Sequence, residues 1–285
     1  MRMNVVESSK VIGAEVFGLN LGELLDAAAF GELERHFYDR SVLCVRDQTL
    51  SPEALVNFAR RFGEVDRHFL SHYTHPEHPN ILIISNIKKE NGRDIGYADA
   101  GRVWHSDGSY LQRPVGVSML YAIKVPEENG EVLGRTQFAS AWAAYDGLSD
   151  AVKAQIEGLE AIHQVAGRRK AIGTGQAQDR AIHEQQPEAI HPLVRTHPYT
   201  GRKYLFVTKG ECHRVRGMEE AESLALIEAL ADEIPRPAYR YVHNWRVGDV
   251  LIWDNRAVQH LASFDYQWPK HRRLMHRVTV SEPLP

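Results

Sequence analysis

Two imidazoles and a carboxylate stand where one metal ion could use them. His105 and Asp107 fall in the run Val103-Trp104-His105-Ser106-Asp107-Gly108; His260 follows far downstream, in Trp253-Asp254-Asn255-Arg256-Ala257-Val258-Gln259-His260. In extended backbone, residues i and i+2 project to the same face, so one ion can take both His105 and Asp107 while Ser106 points away. His260 has to be delivered by the fold. Two His and one carboxylate are the ligand set of the facial triad that holds non-haem Fe(II) and leaves coordination positions open. Converged, the three predict an oxygen-activating enzyme. Apart, they belong to an ordinary soluble protein with many histidines, and His-x-Asp by itself is equally a satisfied surface pair.

The remaining composition narrows the classes. At 285 residues the chain is one large domain or two small ones, able to bury a sizeable core without staples. The net charge of −3 gives a nucleic-acid partner no electrostatic support. Two cysteines, Cys44 and Cys212, argue against a disulfide scaffold or a cysteine-based zinc site. Cys44 sits in the apolar run Val42-Leu43-Cys44-Val45 and reads as a buried, inert thiol. No apolar h-region follows Arg2, and no stretch approaches the ~20 residues of a membrane span. A cytoplasmic protein without a membrane partner is expected.

Helical and strand patterns alternate without a clear linker, so a single domain over 1–285 is expected. Leu24, Leu25, Phe30, Leu33 and Phe37 suggest a helix near 21–39, followed by a strand at 41–46. Ser51-Pro52 looks like an N-cap with Pro at the first helical position, and Gly63 can end that helix. Short β-like runs follow at 81–85, 117–125, 159–165, 203–208, 239–245, 250–253 and 272–280, with Gly248-Asp249 as a turn. Ser149 caps a helix through Ile156, and 219–234 reads as amphipathic through Leu226, Ile227, Leu230 and Ile234. Residues 166–190 are polar and form a long insertion, with a lid, a loop or a subunit contact as its readings. Many strands with helices toward the ends predict a mostly β fold with flanking helices and a jelly-roll core.

Several ordered motifs carry a resemblance. Ser41-Val42-Leu43, Phe58-Ala59-Arg60-Arg61-Phe62-Gly63, Trp104-His105-Ser106-Asp107 and Ala143-Ala144-Tyr145-Asp146-Gly147-Leu148-Ser149 come first. His191-Pro192-Leu193-Val194-Arg195-Thr196-His197-Pro198, Gly248-Asp249 to Asn255-Arg256, and Arg272-Arg273-Leu274-Met275-His276-Arg277 follow. Together they are similar to the taurine dioxygenase-like (TauD/TfdA) family of Fe(II)/2-oxoglutarate oxygenases across almost the whole chain. The resemblance implies a double-stranded β-helix and Fe(II) at His105, Asp107 and His260. It also implies 2-oxoglutarate and O2 as co-substrates, succinate and carbon dioxide as co-products, and self-association. Related halogenases lack the carboxylate, so the presence of Asp107 points to hydroxylation.

As a strand, 272–280 puts Arg273, Met275, Arg277 and Thr279 on one face. That face is either an exposed basic edge or the lining of a barrel. Four residues span ~13 Å of strand, which suits two different anions rather than one. By resemblance, Arg273 grips the distal carboxylate of 2-oxoglutarate, a task for a planar guanidinium. Thr136 matches the threonine that assists it, although Glu131-Val132-Leu133-Gly134 looks inserted after Gly130. Arg277 matches the arginine that binds the acidic group of the primary substrate. His68 matches a sulfonate-binding histidine, with an exposed loop histidine beside His72, His75 and His78 as the other reading. Ser71 and Gly101 replace polar residues expected of a taurine site. Phe69 and Tyr110 either line a larger pocket or pack in the core. The expected substrate is therefore a small anionic organic acid: a sulfonate, a sulfate ester, or an aryloxy or alkyl carboxylate. A non-catalytic 2-oxoglutarate and metal sensor of the same fold is the alternative, with a zinc hydrolase and a purely structural module behind it.

Overall fold

The computed structural model describes residues 3–68, 70–165 and 187–282. Chain order begins β1 (Asn4–Glu7), β2 (Ala14–Phe17), α1 (Ala27–Arg40), β3 (Val42–Val45), α2 (Pro52–Ala59), β4 (Leu82–Ser85) and β5 (Val115–Lys124). It continues through β6 (Glu127–Glu128), β7 (Glu131–Val132), β8 (Thr136–Ser140), α3 (Ala141–Asp146), α4 (Asp150–Ile156), β9 (Glu160–His163) and β10 (Ala189–Pro192). The last elements are β11 (Val194–Thr196), β12 (Lys203–Leu205), β13 (Cys212–Val215), α5 (Glu220–Glu233), β14 (Arg240–His243), β15 (Val250–Asp254), β16 (Val258–Ala262) and β17 (Leu274–Ser281).

Alternation along the central strands creates the layers. β1-β2-β3-β15-β5-β17-β4 form a seven-stranded sheet, antiparallel except where β2 meets β3. Leu43, Val45, Val250, Ile252, Val278 and Val280 lie on one face, packed with Phe30, Leu33 and Phe37 of α1 and Leu55 and Phe58 of α2. Val42, Cys44, Leu251, Trp253 and Met275 take the other face. There they meet Phe138, Tyr241 and Val258 of a second sheet, ordered β14-β8-β16. A third cluster, with Ala139, Ile156, Tyr204, Phe206, Ile227 and Leu230, packs α3, α4 and α5 with the smaller sheets. The architecture is mixed, with several sheets and helices on their outer sides.

Caps explain the helix starts. Ser51 and Ser149 each accept a backbone N–H three residues on, as their spacing predicts. α1 begins later than its apolar pattern suggests, because Asp26 caps it by accepting from Ala29 N at 2.8 Å. Leu24 therefore falls outside the helix and is 90% exposed. Helices are also not confined to the ends: α3 and α4 sit in mid-chain. Most of the anticipated 166–190 insertion lies outside the described residues.

Candidate active site

Backbone pairing delivers the distant histidine. His105 and His260 form an antiparallel bridge: His260 N donates to His105 O at 2.9 Å, and His105 N returns the bond at 3.2 Å. The two side chains consequently leave the ladder side by side, with ring centroids 4.1 Å apart. β16 carries His260 and is itself held by β8. Asp107, two residues along, places Oδ1 3.6 Å from His105 Nε2 and 3.8 Å from His260 Nε2. The three donor atoms lie within 4.8 Å of one another, and all three residues are buried.

Supporting contacts leave the donor atoms facing inward. His105 Nδ1 donates to the Val103 carbonyl at 2.8 Å, so the lone pair resides on Nε2. Asp107 Oδ2 accepts the Ser118 hydroxyl at 2.6 Å. Ser118 accepts in turn from Asn255 Nδ2 at 2.9 Å. Asn255 Oδ1 receives both Asp107 N at 3.1 Å and Trp253 Nε1 at 3.0 Å. This closed network fixes the carboxylate from behind and keeps Oδ1 toward the histidines. Burial alone would raise the Asp107 pKa, but Arg277 and then the two imidazoles outweigh it and hold the carboxyl well below its usual range. Burial first, and the neighbouring His105 second, push His260 well below an ordinary histidine, so it is neutral and able to ligate. Two nitrogens and one oxygen in this state suit a divalent transition metal.

Arg273 and Thr136 border one cavity, together with His105, His260 and Trp253. The Arg273 backbone is pinned on both sides: its N–H reaches Asn86 Oδ1 at 2.9 Å, and its carbonyl accepts Ser85 Oγ at 2.7 Å. Its buried Nε has no hydrogen-bond partner among the described residues. A buried, unsatisfied guanidinium donor at a cavity wall fits an anion. Thr136 opens β8 and accepts Trp245 Nε1 at 3.1 Å. The extra residues before it are a β-hairpin. Asn129 and Gly130 both take positive φ, +53° and +82°, as a tight two-residue turn requires. Leu133 N closes the loop on Pro126 O at 2.9 Å. The hairpin is self-contained, so Thr136 still meets Arg273 across the cavity.

A second cavity borders His105 and Asp107, and His68, Tyr110 and Arg277 also line it. Arg277 Nη2 lies 2.7 Å from Asp107 Oδ1, and Arg277 borders both cavities. His68 Nδ1 accepts from Leu70 N at 3.1 Å. Phe69 lies outside the described residues. The structure thus gathers His68, His105, Asp107, Thr136, His260, Arg273 and Arg277 around two adjoining cavities. Sequence reasoning missed Ser118, which holds Asp107, and Tyr97 and Glu211, which line this second cavity. A serine within the apolar run of β5 was a readable signal for the first.

Cys44, His243 and Asp249 form another compact buried group. Arg46 Nη1 already holds Asp249 Oδ2 at 2.5 Å, and the Arg246 N–H holds it at 2.7 Å. Tyr241 OH holds His243 Nδ1 at 2.9 Å. Filled in this way, the group serves as an ion-pair network. Among the described residues, no helix is long and apolar enough to cross a membrane.

The site's likeness extends over the whole chain. The family model described as taurine catabolism dioxygenase TauD, TfdA family matches residues 5–279. An alpha-ketoglutarate-dependent 2,4-dichlorophenoxyacetate dioxygenase of Cupriavidus pinatubonensis is 33% identical over 262 residues, 88% of each chain. Pentalenolactone F synthase of Streptomyces arenae is 30% identical, over 94% of this chain and 91% of its own. A crystal structure of AAD-2 in complex with Mn(II) and N-oxalylglycine superposes with a TM-score of 0.82 at 26% identity, covering 100% of this chain and 98% of that one. The buried His-His-Asp cluster and these matches agree: the chain belongs to the TauD/TfdA family and is an Fe(II)/2-oxoglutarate-dependent dioxygenase.

Proposed function

We propose that this enzyme hydroxylates a small organic acid, with His105, Asp107 and His260 as the iron ligands. The observation that carries the reading is the pair of cavities meeting at this cluster, each bordered by arginine. Arg273 and Thr136 hold the distal carboxylate of 2-oxoglutarate: a planar guanidinium with an unsatisfied buried donor on one side, a hydroxyl on the other. Arg277 receives the acidic group of the primary substrate, with His68 beside the same cavity. Iron with 2-oxoglutarate and O2 supplies the oxidation, in which one oxygen atom enters a C–H bond and the other enters succinate as carbon dioxide leaves. The protein's part is positional. Ser118 and Asn255 orient Asp107, and Val103 fixes the His105 tautomer. The two layered sheets and the family match support a double-stranded β-helix core.

The candidate substrates are sulfonates, sulfate esters, and aryloxy or alkyl carboxylates. The relatives' names, one a phenoxyacetate and one a lactone product, support acidic and partly apolar molecules while leaving the choice open. A panel of these acids, with Fe(II), ascorbate, 2-oxoglutarate and air, tests the reading by succinate release. The expected result is acid-dependent succinate above the substrate-free background. Succinate unaffected by every acid would contradict the proposal.

A further inference from the structure

The two histidines of the cluster are held by different means. The second ring nitrogen of His105 has a partner, the Val103 carbonyl at 2.8 Å. That of His260 has none: its Nδ1 is buried and without a hydrogen-bond partner among the described residues. A ligating histidine ordinarily gives this N–H to a carbonyl, a carboxylate or water, which sets both its tautomer and its ring angle. At His260 the angle needs another source.

Rings supply one. Phe138 is the direct partner of His260 across the β8–β16 ladder. The two rings lie 23° from parallel, with centroids 5.9 Å apart. Trp253 comes to 4.9 Å at 57°. Offset and tilted arrangements at such distances are the favourable ones between π systems. Both neighbours are fixed in turn. Phe138 is fully buried, with Tyr241 at 6.3 Å and Trp253 at 5.7 Å. Trp253 Nε1 donates to Asn255 Oδ1 at 3.0 Å, the oxygen that also receives Asp107 N. The support of His260 and that of Asp107 therefore share one amide. Phe138 is not among the residues bordering either cavity, so it acts on the site through the rings of His260 and Trp253.

We propose that Phe138 is a positioning residue. Its ring, with Trp253 beside it, holds the His260 imidazole at the angle that aims Nε2 at the metal, in place of the hydrogen bond that His105 has. This rests on the iron-ligand assignment above. Turning the imidazole would break both ring contacts and open a gap in a close-packed interior, which is why packing can do the work of an acceptor.

Two measurements test it. The first is nuclear magnetic resonance of wild type carrying isotopically labelled histidine and Zn(II) as a diamagnetic probe. The His105 Nδ1 proton should resonate far downfield, as a hydrogen-bonded N–H does, and the His260 Nδ1 proton clearly upfield of it. Two equally downfield protons would reveal a hydrogen bond on His260 and overturn the inference without any variant. The second is Co(II) affinity by visible absorption, for wild type, Phe138→Leu, Phe138→Met and Phe138→Tyr, on protein whose circular dichroism matches the wild type. Either ringless variant should bind about ten-fold more weakly with an altered d–d band, while Phe138→Tyr stays within about two-fold of wild type. A purely structural Phe138 would lower Tm and leave the affinity and the cobalt band in place. Unchanged affinity in a folded ringless variant overturns the inference, and so does an equal loss in Phe138→Tyr. The parent assignment fails separately, when the wild type binds no Co(II).

Discussion

Asp107 does two jobs with two oxygens. Oδ2 is spent on Ser118, while Oδ1 faces the histidines and Arg277. Removing the Ser118 hydroxyl leaves the carboxylate free to turn, and groups that orient ligands typically contribute about 10–100-fold to metal affinity. Ser118→Ala should therefore weaken Co(II) binding by about that factor, as read by visible-absorption titration; unchanged affinity would assign Ser118 to packing alone. The two arginines differ by position. Arg273→Ala should raise the apparent KM for 2-oxoglutarate far more than that for the acid, and Arg277→Ala should do the reverse. Equal losses in both constants would mean that the roles are misassigned. At this scale the sequence was most legible. His105, Asp107 and His260 stand out by residue type, and the arginines by their strand phase. Ser118 was not legible in the same way, because its meaning depends on contacts with Asp107 and Asn255 that only the fold makes.

Elements decide whether those residues meet. β17 was readable from its alternation, and Ser51 and Ser149 from their capping positions. β8 and β16, which frame the site, were not. Residues 258–260 of β16 are buried in succession, so polar and apolar residues do not alternate in the usual way. The β6–β7 hairpin read as an uncertain insertion, though Asn129-Gly130 is a strong turn signal. Its exit is tight. Gly134 has φ +69°, and a Cβ there would lie 3.0 Å from Tyr266 and 3.4 Å from Arg273 Nε. Gly134→Ala should accordingly disturb Arg273 and raise the apparent KM for 2-oxoglutarate with little change in that for the acid. A steady-state comparison in which neither constant moved would separate the hairpin from the arginine's position.

Across the whole molecule, burial in the neutral form extends to a histidine outside the site, on β9 of the smaller β10-β9-β13 sheet. Burial, then repulsion from His191 and Arg195, lowers the His163 pKa to about 3. An unfolded histidine titrates near ~6.5, so the unfolded chain takes up a proton first. Stability from this group is complete above about pH 6.5 and is lost as the pH falls toward 3. His163→Phe should flatten the decline in Tm between about pH 6.5 and 4. An unchanged slope would place the acid sensitivity in other groups. The layer pattern was legible from alternating runs, and so were β9 and β12 of the smaller sheets, whereas β10, β11 and β13, with three or four residues each, offered too little pattern to read. Everything rests on one convergence, that of His105, Asp107 and His260. The most direct test is Asp107→Ala, with Mn(II) binding and 2-oxoglutarate-dependent succinate release measured on protein whose circular dichroism matches the wild type. The account predicts one Mn(II) per wild-type chain, and loss of both binding and turnover in the variant. A folded variant that keeps full turnover would contradict it.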